Sequence, residues 1–185
     1  MTLRIAFLAG IVCLYSAPVS AGDMPYAGQQ ARTIKALSDD DVAALRKGEG
    51  MGLAKAAELN GYPGPAHVLT LAAPLGLTET QRREVRAIFD RMQAAAKPLG
   101  GELIAQEQAL DHLFAKNEIT PDRLASATHA IAELQGRLRS VHLAAHLETR
   151  ALLDQDQVAR YQRLRGYAHS PGAAPHHHPT EGPGR

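Results

Sequence analysis

Val85, Ile88, Phe89, Met92, Ala96 and Leu99 recur at spacings of three and four, and the same stripe resumes at Leu103, Leu110, Leu113 and Phe114. That period places them on one face of a helix. Pro98, Gly100 and Gly101 sit inside the stripe and predict a kink or break there. Because both portions keep the helical period, a single kinked long helix is the favoured form. Asn117 to Thr120 reads as a turn, followed by Thr120 as N-cap, Pro121 at the first helical position and Asp122 in the first turn. Leu124, Thr128, Ile131, Leu134, Leu138, Val141, Ala145 and Leu152 then repeat at close to 3.5 residues, suited to pairing along a partner helix. So short a turn between long helices predicts an antiparallel hairpin.

Shorter elements flank it. Ser38 with Asp39, Asp40 and Asp41 is a helix start, and Gly48 a helix stop. A short helix is predicted over 53–59, stopped by Asn60-Gly61 and the Pro63-Gly64-Pro65 turn. Another is predicted from Pro65 through His67, Val68 and Leu71 to Leu75, closed by Gly76. The glycines of Gly48-Glu49-Gly50-Met51-Gly52 resemble a phosphate loop, but no strand precedes them and no Lys-Ser/Thr follows, so they read as a linker. Thr78 and Gln81 have the spacing of a reciprocal capping box, and Asp154 and Gln157 repeat it before Val158, Tyr161, Leu164 and Tyr167. Leu153 is placed to staple onto Val158, whereas Arg82 stands at the corresponding place of the first copy. The fold class predicted is all-α: a long kinked antiparallel hairpin with short flanking helices.

Composition narrows this further. Hydrophobic residues make up 45% of the 185 positions, but aromatics only 4%, with no Trp, which fits a helical core built on Ala and Leu. With 20 basic and 19 acidic residues there is no basic excess for nucleic acid. Arg4, the apolar run from Ile5 to Val19 and the Val19-Ser20-Ala21 site read as a secretory signal peptide over 1–21, too short for a spanning helix. Its removal would take Arg4 and the single Cys13, leaving balanced charge and no thiol. The expected organisation is a signal peptide over 1–21, an N-terminal segment with short helices over 22–64, a helical domain over 65–168 and a disordered tail over 169–185. With no H-E-x-x-H, G-x-S-x-G, P-loop or nucleophilic Cys, no enzyme is expected.

Leu77-Thr78-x-x-Gln81 paired with Leu153-Asp154-x-x-Gln157, behind a signal peptide and around a helical hairpin, resembles the LTxxQ family of periplasmic Spy/CpxP-like and heavy-metal-resistance proteins. The resemblance covers about residues 66–167, and Asp154 departs from the motif's Thr while serving equally as a cap. It implies a periplasmic, homodimeric helical cradle that acts as an ATP-independent chaperone for unfolded or stress-damaged envelope proteins, and a membrane-bound signalling partner. Arg82, Arg83, Arg86 and Arg91 beside Val85, Ile88 and Met92 offer a client surface of mixed character; Arg82, Arg86, Ile88 and Met92 are its candidates. The same residues also read as a solvated helix face over a hairpin core.

The histidines suggest a second function. His142 and His146, one turn apart, present two nitrogen ligands suited to Zn, Cu, Ni or Co. His67 or Glu84 is the candidate third ligand. The order of His67 and His142 is similar to that of the family's metal sensors. Boundary packing at a hairpin or dimer interface is the alternative for the pair, and His129 falls on the opposite face. His169, His176, His177 and His178 form a second, weakly binding cluster in the tail. No cofactor is required by any of this. A metal-binding sensor or resistance protein therefore stands beside the chaperone, with a structural envelope protein binding one partner through its apolar face as a third reading.

Overall fold

The computed structural model describes residues 25–167. The expected signal peptide over 1–21 and the tail histidines His169, His176, His177 and His178 lie outside the described residues. The chain falls into two units, 1–31 and 32–185. Of the first, residues 25–31 form a turn and one 3-10 turn, Gln29–Ala31, with the Gln29 side-chain amide donating to the Pro25 carbonyl at 3.1 Å.

The second unit is helical, with no strands among the described residues beyond an isolated bridge between Ile34 and Leu37. Helix α1 (Asp39–Lys47) starts at a capping box: Ser38 Oγ accepts from the Asp41 amide at 3.1 Å, and Asp41 Oδ2 accepts from the Ser38 amide at 3.0 Å. The Ser38 hydroxyl, donating to Asp41 Oδ2 at 2.6 Å, and then the Ser38 amide hold the Asp41 carboxyl below its ordinary pKa. Gly48, at φ 69°, ends the helix. Helix α2 is only Lys55–Glu58, shorter than the span expected, because Ala54 is non-helical and has no side-chain group to cap the first turn. The single helix expected from Pro65 to Leu75 is two, α3 (Pro65–Thr70) and α4 (Ala72–Leu75). Pro74 explains the break. It has no N–H for the Thr70 carbonyl and its ring crowds that carbonyl, so the chain steps out of the helix at Leu71.

Helix α5 (Glu79–Ala115) runs through Pro98 as one element, about 55 Å long at 1.5 Å per residue. It ends in a Schellman motif, with Asn117 at φ 54° and the Glu118 amide bonded to the Leu113 carbonyl at 2.9 Å. Helix α6 (Pro121–Leu152) returns along it. Leu124 and Thr128, expected on its apolar stripe, are exposed beside the turn; burial begins at Ile131. Helix α7 (Gln155–Leu164) closes the unit. No helix of the described residues is long and apolar enough to cross a membrane.

Gly100 has a role that the sequence did not suggest. A Cβ there would collide with the Leu45 carbonyl of α1, so its bare backbone is where α1 seats on α5. Ile34, Leu45, Ala96, Leu99, Leu103, Ile104, Ile131, Leu134 and Leu138 form the core at this level. A second core gathers Val68, Ala72, Leu75, Leu77, Val85, Leu153, Val158 and Tyr161, and includes both residues of the predicted Leu153–Val158 staple.

Both predicted boxes are present. Thr78 caps α5 and Asp154 caps α7, each closed reciprocally by the glutamine three residues on. The two glutamines also bind each other. Gln81 Nε2 donates to Gln157 Oε1 at 2.9 Å and Gln157 Nε2 donates back to Gln81 Oε1 at 3.0 Å. Gln81 Nε2 reaches the Leu152 carbonyl as well, at 2.9 Å. The pair of motifs therefore forms one clasp that joins the N-termini of α5 and α7 to the end of α6.

Candidate functional site

Along α6, the stretch between the two cores carries His142, His146 and Thr149, all buried. The glycine-rich linker over 48–52, α2, the start of α3 and Phe89, Met92 and Gln93 of α5 lie opposite. Together they enclose a cavity of about 570 Å³. The linker packs beside the histidines: a Cβ at Gly50 would be in ordinary van der Waals contact, 3.5 Å from His142 Nδ1. A Cβ at Gly64 would lie 2.8 Å from His146 Cε1 and Nε2.

His67, His142 and His146 all line this cavity. Glu84, the other candidate third ligand, is on the exposed face of α5 and takes no part. Its place is taken by Glu58 of α2, whose side chain is 11% exposed. Glu58 Oε1 accepts from the Tyr161 hydroxyl at 2.5 Å and stands 3.6 Å from His67 Nδ1 and 3.4 Å from Arg165 Nε. Oε2 accepts from the Gly64 amide at 3.2 Å and stands 3.7 Å from His146 Nδ1.

The two imidazoles on α6 differ. His146 Nδ1 is 2.7 Å from the Tyr62 carbonyl, which can only accept, so Nδ1 carries a proton and Nε2 is the ring nitrogen left to face a ligand. This is how a metal-ligating histidine is held by its outer partner. His142 Nε2 is buried and bonded to nothing. Burial, then the charge of His146, lowers the His142 pKa and keeps the ring neutral. His67 is also lowered, by desolvation and then by Arg165, with Glu58 opposing. Burial first, and then the bond to Glu58, raises the Tyr161 pKa, so the phenol stays a donor.

The donor set suits a borderline transition-metal ion in chemistry, with imidazoles and a carboxylate. It is not assembled. Among the described residues, no three His, Cys, Asp or Glu side chains stand in a metal-holding group. Glu58 is already engaged with Tyr161, Gly64 and Arg165.

The client candidates separate. Arg82 and Arg86 are exposed, with Arg86 over the Phe89 ring. Ile88 is core, 6% exposed, and Met92 lines the cavity, so neither presents an open apolar surface. His129 and His112 are exposed.

Sequence reasoning missed Glu58, Tyr62, Tyr161 and Arg165 as parts of this site. One signal was present for Glu58: it is the only acidic residue between Glu49 and Glu79.

Fold and site together define a helical-hairpin protein with a histidine-lined cavity beside the paired helices. A family model described as heavy-metal resistance matches residues 42–160. The chain belongs to this heavy-metal resistance family, which is related to the Spy/CpxP-like periplasmic helical proteins and is not a known enzyme family. The match begins within α1, earlier than the LTxxQ motifs alone suggested. No curated protein and no solved structure matches the chain.

Proposed function

We propose that this chain is a periplasmic metal-binding protein of heavy-metal resistance, taking a divalent Zn, Cu, Ni or Co ion at His142 and His146. The observation that carries this is the pair of buried imidazoles one turn apart, one with an unbonded Nε2 and the other oriented by the Tyr62 carbonyl. Glu58 and His67 are the further donors on the same cavity wall. The ion would supply the cross-link: it ties α6 to the segment carrying α2 and α3, and so makes their association depend on metal. Neutral His142 supports this, because a ligand must be unprotonated to bind.

The test is titration of the full chain with Co(II), followed by its visible absorption, with the four tail histidines replaced by alanine to remove their contribution. One ion per chain is expected, lost in His142→Ala and in His146→Ala while far-ultraviolet circular dichroism stays helical. A titration that neither substitution alters refutes the site.

The chaperone reading is favoured by a different surface from the one expected. Phe114 and Leu124, 53% and 39% exposed, flank the turn between α5 and α6. Suppression of light scattering by an aggregating client, lost in Phe114→Ser with Leu124→Ser, would support that role; no suppression at severalfold excess removes it.

A further inference from the structure

Arg165 is the odd member of the cavity wall. It is the C-cap of α7, and Tyr167, two residues on, lines the same cavity. Its Nε is buried, faces Glu58 Oε1 at 3.4 Å and yet bonds to nothing. The rest of the guanidinium is turned to Tyr167, with one terminal nitrogen donating to the phenol oxygen at 3.0 Å and the carbon 5.5 Å from the ring centroid. The guanidinium therefore contributes charge to Glu58 and little directed bonding.

That charge answers why the donor set stands unassembled. Among the described residues, Glu58 is the only carboxylate lining this wall that also faces His67 and His146, and a guanidinium already pairs with it. A divalent ion drawn to the same carboxylate would stand against a fixed positive charge at a few ångströms. The two cations would share the charge of one carboxylate, so each weakens the other's hold on Glu58. An Nε–H left without an acceptor marks Arg165 as the more easily displaced.

We propose that Arg165 is a built-in cation that holds Glu58 in the absence of metal and competes with the ion for that carboxylate, so that metal entry expels the guanidinium and frees the C-terminal end of α7. The inference rests on the metal-binding reading above and adds how occupancy is reported. Selectivity follows from it, since a monovalent ion offers Glu58 no more charge than the guanidinium it must displace.

Co(II) titrations of the full chain, Arg165→Gln, Arg165→Lys and Glu58→Gln test this. Arg165→Gln is expected to tighten the Co(II) dissociation constant by about tenfold, within the usual range of coupling between two sites. Arg165→Lys keeps a cation and should return affinity toward that of the native chain. Glu58→Gln should abolish the difference made by Arg165→Gln. Repulsion of the ion by a bystander charge would also be relieved by Arg165→Gln but would persist in the Glu58→Gln background, so a difference that survives there overturns the competition. Native binding with no tightening in Arg165→Gln overturns the competition and leaves the metal site standing. Binding by Arg165→Gln alone supports the competition and removes native metal binding. Binding by neither overturns both.

Discussion

Gly100 and Gly101 are adjacent in α5, and alanine should act on them with opposite sign. By helix propensity alone, each Gly→Ala change stabilises by about 0.5–1 kcal/mol. At Gly101 nothing lies within 4 Å of a new Cβ, so that gain should be realised in full. At Gly100 the new Cβ would lie 2.9 Å from the Leu45 carbonyl carbon and 3.3 Å from its Cα, and would overlap the carbonyl oxygen outright. The obstacle is backbone, so no rotamer relieves it. Helix α1 must retreat by roughly 1 Å to restore ordinary contact. That retreat opens the core in which Leu45 is 4% exposed. Overpacking of this kind costs about 1–3 kcal/mol, which exceeds the propensity gain and leaves Gly100→Ala net destabilising by about 1–2 kcal/mol. Urea unfolding followed at 222 nm measures both variants. Opposite shifts in midpoint are expected, with a drop of roughly 2–4 °C per kcal/mol in a parallel thermal melt for Gly100→Ala. If Gly100→Ala stabilises as Gly101→Ala does, α1 is not seated on α5 as described.

The glutamine clasp and the buried histidine give two more predictions. Gln81→Ala and Gln157→Ala should each cost about 1–3 kcal/mol, since each removes a capping acceptor and one side of the amide pair. The double variant should show a coupling energy of about 1 kcal/mol by urea unfolding; additivity within about 0.3 kcal/mol would mean the two amides do not meet. For His142 the sign follows from its lowered pKa, set against 6.5 for an unperturbed imidazole. Below pH 6.5 the unfolded chain takes up a proton that the native ring refuses, so stability falls as pH drops through the window beneath 6.5 and is fully present above it. Between pH 7.5 and 5.5 the native chain should lose more stability than His142→Gln does, and equal losses would show that the ring is not held neutral by burial.

How much of this was legible depends on the range of the interaction. Helix ends were legible because a cap is a contract between residues three apart: Ser38 with Asp41, Thr78 with Gln81, Asp154 with Gln157. The hairpin followed from apolar period and a short turn. The break at Leu71 was also local, but it needed the carbonyl four residues before Pro74 to be weighed against an otherwise continuous stripe. The seat at Gly100 was not legible because a glycine that permits a bend and one that permits a close approach look alike until the approaching segment is known.

The candidate site divides in the same way. His142 and His146 could be named from the sequence, since four residues along a helix fix their common face. Their depth, the unbonded Nε2 and the Tyr62 carbonyl could not, because these depend on how the linker and α2 lie against α6. Glu58, Tyr161 and Arg165 are separated by 103 residues or more from one end of the group to the other, and no local rule relates them. The chain's own order thus determined an all-helical hairpin, its caps and two facing imidazoles, since helix geometry converts short spacings into directions. Only tertiary packing decided that a carboxylate already shared with a guanidinium stands beside those imidazoles, because burial and charge balance are properties of what the folded chain brings together.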